Sequence, residues 1–168
     1  MLDFLFGGLT ARPARGAALF DGVTRLTRAP HWYVEGKVPD TLDGRFAVLA
    51  TVTAQVLVRL ETPEEMIFQQ LSVALTERFI DVMESEHREL GIGDPALGRK
   101  VRKLVGSLAR RVDLWRATTT GERPWEEAAA ESLSVEGDGK QHCAAELRKL
   151  WQQLQSRSIE QLSEGEIG

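Results

Sequence analysis

Thr41-Leu42-Asp43-Gly44-Arg45-Phe46-Ala47-Val48-Leu49-Ala50-Thr51-Val52-Thr53-Ala54-Gln55-Val56-Leu57-Val58-Arg59-Leu60-Glu61 is the stretch on which the fold turns. Propensity favours a strand, because Val48, Thr51, Val52, Thr53, Val56 and Val58 are β-branched. Periodicity favours a helix: Leu42, Phe46, Leu49, Thr53, Val56 and Leu60 recur at three- and four-residue steps. The segment is also long for a strand. It reads as a buried helix, with Leu49 placed in the core. Asp40 is the expected N-cap, and Asp43 adds negative charge to the first turn.

Helical periodicity continues outward in both directions. Residues 15–29 carry Ala18, Leu19, Val23 and Leu26 on one side, and Pro30 closes that helix. The loop at 30–39 holds Trp32 and Tyr33 among Pro and Gly; such aromatics either plug the core or anchor a partner. Downstream, Thr62, Pro63 and Glu65 suggest a capping box for a helix reaching about Leu90 through Ile67, Leu71, Ala74, Leu75, Phe79 and Val82. Gly91 suits a left-handed helix end, and Asp94 with Pro95 opens the next helix. That helix carries Leu97, Val101, Leu104, Val105, Leu108, Val112 and Trp115. Trp125–Leu133 is expected to form a short helix and residues 141–161 a final one.

Charge is segregated along the chain. Residues 61–90 hold eight acids and two bases, whereas 91–120 hold seven bases and two acids. Two such helices are expected to pair antiparallel, and the acids Asp81, Glu84 and Glu89 are expected to meet arginines, Arg45 and Arg88 foremost. The basic face of Arg99, Lys100, Arg102, Lys103, Arg110, Arg111 and Arg116 then either neutralises the preceding helix or binds an anionic partner such as RNA or lipid. A net charge of −4 argues against a general polyanion binder and against DNA as a partner.

The expected fold is all-α, a single-domain bundle of about five to six helices. The domain is expected over residues 15–162, preceded by a flexible N-terminus at 1–14 and followed by a frayed acidic tail at 163–168. The apolar run from Met1 to Leu9 is too short to span a membrane and lacks the basic start of a signal peptide; it is expected to be either a frayed or docked end or a shallow membrane contact. One cysteine, Cys143, excludes an internal disulfide framework.

No catalytic constellation emerges. Glu84 and His87 form a single Glu-x-x-His, whereas di-iron bundles need two copies and further glutamates, so no metal or cofactor is expected. His142 beside Cys143 could suggest a nucleophile pair, but adjacent helical residues point in different directions. The expectation is a binding protein rather than an enzyme.

Two stretches carry a family resemblance. Trp32-Tyr33 followed by Val38-Pro39-Asp40-Thr41-Leu42-Asp43-Gly44-Arg45-Phe46 is the first. Phe79-Ile80-Asp81-Val82-Met83-Glu84 followed by Arg88-Glu89-Leu90-Gly91-Ile92-Gly93-Asp94 is the second. With Arg59-Leu60 and Lys100-Val101-Arg102-Lys103 they resemble the ubiquinol–cytochrome c chaperone family over about residues 15–117. Glu84 stands where the family usually has Asp, and Ala109-Arg110 stands where a glycine-arginine pair is typical. The resemblance implies an all-helical assembly factor that binds newly made cytochrome b and protects it until it enters respiratory complex III. It implies as partners cytochrome b or another membrane client, the ribosome and a small helper protein. It places the chain in the cytoplasm or peripherally at the inner membrane. The recognition residues it suggests are Trp32, Tyr33, Asp40, Arg45, Asp81, Glu84, Arg88, Glu89, Gly91, Gly93, Asp94, Arg99, Lys100 and Lys103. A ribosome-, RNA- or protein-binding helical module without chaperone activity is the rival reading.

Overall fold

The computed structural model describes residues 16–62 and 64–168. The structure is all-α: among the described residues there are seven helices and no strand. They are α1 (residues 16–27), α2 (Leu42–Leu60), α3 (Met66–Glu89), α4 (Asp94–Thr119), α5 (Trp125–Leu133), α6 (Gly137–Ser156) and α7 (Ile159–Ser163), with a 3-10 turn at Pro30–Trp32. The apolar run at residues 1–9 lies outside the described residues.

Helix α2 is the axis of the bundle. It touches α3, α4, α5 and α6, and Val48, Ala50, Val52, Ala54 and Val56 are fully buried. A helix apolar on every side must be enclosed on every side, which is why β-branched residues tolerate helical geometry here: tertiary burial outweighs a propensity difference of a few tenths of a kcal/mol per residue. Two polar side chains of this helix, Thr53 and Gln55, are fully buried without a hydrogen-bond partner among the described residues, whereas Thr51 is paired. Thr51 Oγ1 and Ser132 Oγ are 2.6 Å apart, and Trp115 Nε1 donates to Ser132 Oγ at 3.2 Å.

The α3–α4 corner is a Schellman turn. Gly91 has φ +83, Gly91 N donates to Arg88 O at 2.9 Å, and Ile92 N donates to His87 O at 3.2 Å. The acids and arginines of this corner do not form the expected network. Arg45 pairs with Asp40, and among the described residues no ion pair joins α3 to α4. Helix α4 packs more extensively on α2 than on α3, through apolar side chains that include Leu104 and Leu108. Apolar burial therefore holds the corner, not opposite charge.

Three caps lie elsewhere than the sequence suggests. Thr41, not Asp40, caps α2 by accepting from Gly44 N at 3.1 Å, because Asp40 is engaged by Arg45. Helix α3 starts at Met66 with Glu65 as N-cap, so Thr62 caps nothing; Pro63 lies outside the described residues. Gly93 is the N-cap of α4, and Asp94 sits one position inside. The final helix also differs. It breaks at Arg157–Ser158, where Ser158 and Gln161 form a capping box and start α7.

The expected frayed end is instead docked. Ile167 is 1% exposed, and Arg25 Nη2 donates to Gly165 O at 3.3 Å. Gly165 has φ +83, and a Cβ there would strike the carbonyl oxygen of Ala18. The chain end thus lies directly on the backbone of α1.

Candidate functional site

A groove of about 1050 Å³ opens between α1, the 30–34 turn, the first half of α2, and the α3–α4 corner. Its position follows from α2. The apolar stripe Leu42, Phe46, Leu49 lies on a side of the first half of α2 that neighbours do not cover fully, so Leu42 is exposed and Phe46 and Leu49 remain half-buried. Helix α3 supplies Val82, Met83 and His87 from the opposite wall, and α1 supplies Phe20 and Thr24. The His87 ring is buried and fixed, with Nδ1 donating to Met83 O at 2.7 Å.

The groove is apolar within and charged at its rim. Asp21, Asp40, Asp43, Glu86 and Glu89 alternate there with Arg28, Arg45, Arg78 and Lys100. Arg45 Nε donates to Asp40 Oδ1 at 2.7 Å, and that bond holds the Asp40 carboxyl below the usual carboxylate range. Tyr33 donates its hydroxyl to Thr27 O at 3.1 Å, and burial raises its pKa above the ordinary value. Large apolar side chains stand exposed around this rim. Val34 is 60%, Leu42 60% and Leu90 61% exposed, three of the five exposed large hydrophobics among the described residues. Three exposed apolar side chains thus border one groove.

The structure sorts the residues singled out from sequence. It brings Tyr33, Asp40, Arg45, Glu89 and Lys100 together around the groove. Trp32 is a plug: it is buried, and its Nε1 donates to Leu26 O at 2.9 Å. Gly91, Gly93 and Asp94 shape the corner, while Asp81, Glu84 and Arg88 lie along α3 outside the groove lining. Arg99 and Lys103 stand on the exposed face of α4. Leu49, read as core, lines the groove instead. Sequence reasoning missed Phe20, Thr24, Arg78, Met83 and Glu86; the usable signal was the Leu42–Phe46–Leu49 stripe, longer than one neighbouring helix can cover.

The other chemical candidates resolve into structure. His142 meets His31 rather than Cys143, with His31 Nδ1 and His142 Nε2 3.0 Å apart. The Cys143 thiol is buried, lies 3.5 Å from Gly36 O, and has its pKa pushed up to about 11 by burial, which leaves it a poor nucleophile. Among the described residues no three His, Cys, Asp or Glu side chains gather as a metal site, and no helix is long and apolar enough to cross a membrane.

The fold is similar to that in the crystal structure of the Cbp3 homolog from Brucella abortus. The match has a TM-score of 0.80 at 24% identity and covers 100% of this chain and 96% of that one. No curated protein sequence matches the chain. The family model described as ubiquinol-cytochrome C chaperone matches residues 34–119, a span that includes the 34–49 wall of the groove, the α3 wall and the α3–α4 corner. The chain belongs to the ubiquinol–cytochrome c chaperone family.

Proposed function

We propose that the groove holds a segment of newly made cytochrome b until that protein is assembled into ubiquinol–cytochrome c reductase. The carrying observation is the placement of Val34, Leu42 and Leu90, all strongly exposed, around one groove inside the family-matched region. A chaperone for a membrane subunit must cover apolar client surface reversibly. An open, half-apolar groove with a mixed-charge rim suits such reversible cover. Apolar contact gives affinity, and the rim charges set orientation and on-rate. Release is feasible because the groove walls are preformed and need no refolding. The same reading places the protein in the cytoplasm, peripherally at the membrane where cytochrome b is inserted.

The test replaces the chromosomal gene by a Val34→Ser/Leu42→Ser/Leu90→Ser variant. All three side chains are exposed, so the fold and melting temperature should be kept. Cytochrome b and complex III should fall toward the level of a gene deletion. Normal complex III with this variant, in a strain where the deletion lowers it, would remove the groove from consideration.

A further inference from the structure

We propose that the outward face of α4 docks this protein on an anionic lipid bilayer. Arg99, Arg102, Lys103 and Arg110 are exposed, and among the described residues none of them forms an ion pair with a carboxylate. At 3.6 residues per turn these four fall within an arc of about 100°, along a strip about 17 Å long. The remaining α4 cations are accounted for. Arg116 pairs with Glu61 and Asp113, Arg111 donates to Ser132 O at 2.8 Å, and Lys100 lies on the lip of the groove. In a chain of net charge −4, a strip of unpaired cations this dense is a local inversion of sign.

Three features favour a bilayer over a nucleic acid. The strip is flat: Nη1 of Arg102 and of Arg110 lies 3.7 Å from the positions a Cβ would take on Gly98 and Gly106, so these side chains run along the helix. It carries no exposed aromatic on which a base could stack, since Trp115 is fully buried. And α4 begins at the corner where Leu90 is 61% exposed and Ile92 half-buried, an apolar element beside a polybasic one. Clusters of four or more Lys/Arg beside an apolar contact suit a surface of acidic headgroups. Because Lys100 borders both strip and groove, docking this face would set the groove mouth beside the membrane.

The experiment is co-sedimentation of the full chain with unilamellar vesicles of phosphatidylcholine, with or without about one-third phosphatidylglycerol. Binding should require the anionic lipid and weaken steeply between about 0.05 and 0.5 M salt. Each cation near such a surface is worth about fivefold in affinity, so Arg99→Gln/Arg102→Gln/Lys103→Gln/Arg110→Gln should lose on the order of several hundredfold. All four positions are exposed, and an unchanged circular dichroism melt would show the fold intact. Equal vesicle affinity of the variant, or no preference for anionic lipid, would overturn the proposal. So would tight binding of a duplex RNA by a chain that ignores the vesicles. The client groove is read by complex III levels, so either result leaves that reading standing or falling on its own test.

Discussion

His31 Nδ1 and His142 Nε2 face each other at 3.0 Å, tying the turn between α1 and α2 to α6 across 111 positions of sequence. The same turn carries Tyr33 and Val34 into the groove, so the histidine pair lies behind the groove wall. Burial lowers the His31 pKa from 6.5; Glu146 and Glu35 oppose that shift, while His142 and Lys149 reinforce it. A histidine whose folded pKa is depressed binds fewer protons in the folded chain than in the unfolded one. Its contribution is therefore fully present above about pH 6.5 and is lost as pH falls through the folded pKa. Thermal melts should show stability declining as pH drops below about 6.5. His31→Gln should flatten that decline, and an unchanged pH profile in the variant would refute the assignment.

Asp40 and Arg45 form an exposed pair, with side chains 57% and 66% accessible. Exposed pairs of this kind contribute little to stability. Arg45→Ala should leave the melting temperature essentially unmoved. It should nonetheless weaken client capture, because it removes a rim charge and frees Asp40. A sharply lowered melting temperature would show that the pair is structural after all.

Ile167 is buried in the core and anchors the C-terminal end, whose Gly165 and Gly168 lie against α1. Truncating a buried Ile to Ala costs about 2–5 kcal/mol where the site cannot collapse. Ile167→Ala should fall toward the lower part of that range, since a chain end relaxes more easily than a mid-helix site. Gly165→Val should also destabilise, through its positive φ and the Ala18 carbonyl behind it. Urea melts matching the parent for both variants would mean the docked end contributes nothing.

Much of the fold was legible because it is local. The three- and four-residue spacing in α2, the left-handed Gly91 and the bounds Trp125–Leu133 are all written in near-neighbour chemistry. The cap of α2 was misplaced because two adjacent residues, Asp40 and Thr41, are both good caps, and Arg45 five positions on from Asp40 decides between them. The docked tail and the histidine pair were not legible, since each joins residues more than a hundred positions apart. The groove was half legible. Tyr33, Asp40, Arg45, Glu89 and Lys100 came from motif positions, but the gap between α1 and α3 that exposes Phe46 and Leu49 is a property of packing, not of any one segment.

Leu49 and Val52 separate groove from core on the same helix. They lie three residues apart on α2, yet Val52 is fully buried while Leu49 is half-buried in the groove wall. A carboxylate at Val52 would have no water around it, and burying it charged, or neutral and without a partner, offsets much or all of the about 5–15 kcal/mol by which a domain is stable. Val52→Asp should therefore fail to fold. Leu49→Asp places its charge where solvent reaches and where a client must bury apolar surface. It should fold, with a melting temperature lowered by several degrees for the lost apolar contact, and should fail to sustain complex III. A folded Val52→Asp would contradict the burial of α2. A Leu49→Asp chain that folds and still supports normal complex III would show that the client is held elsewhere.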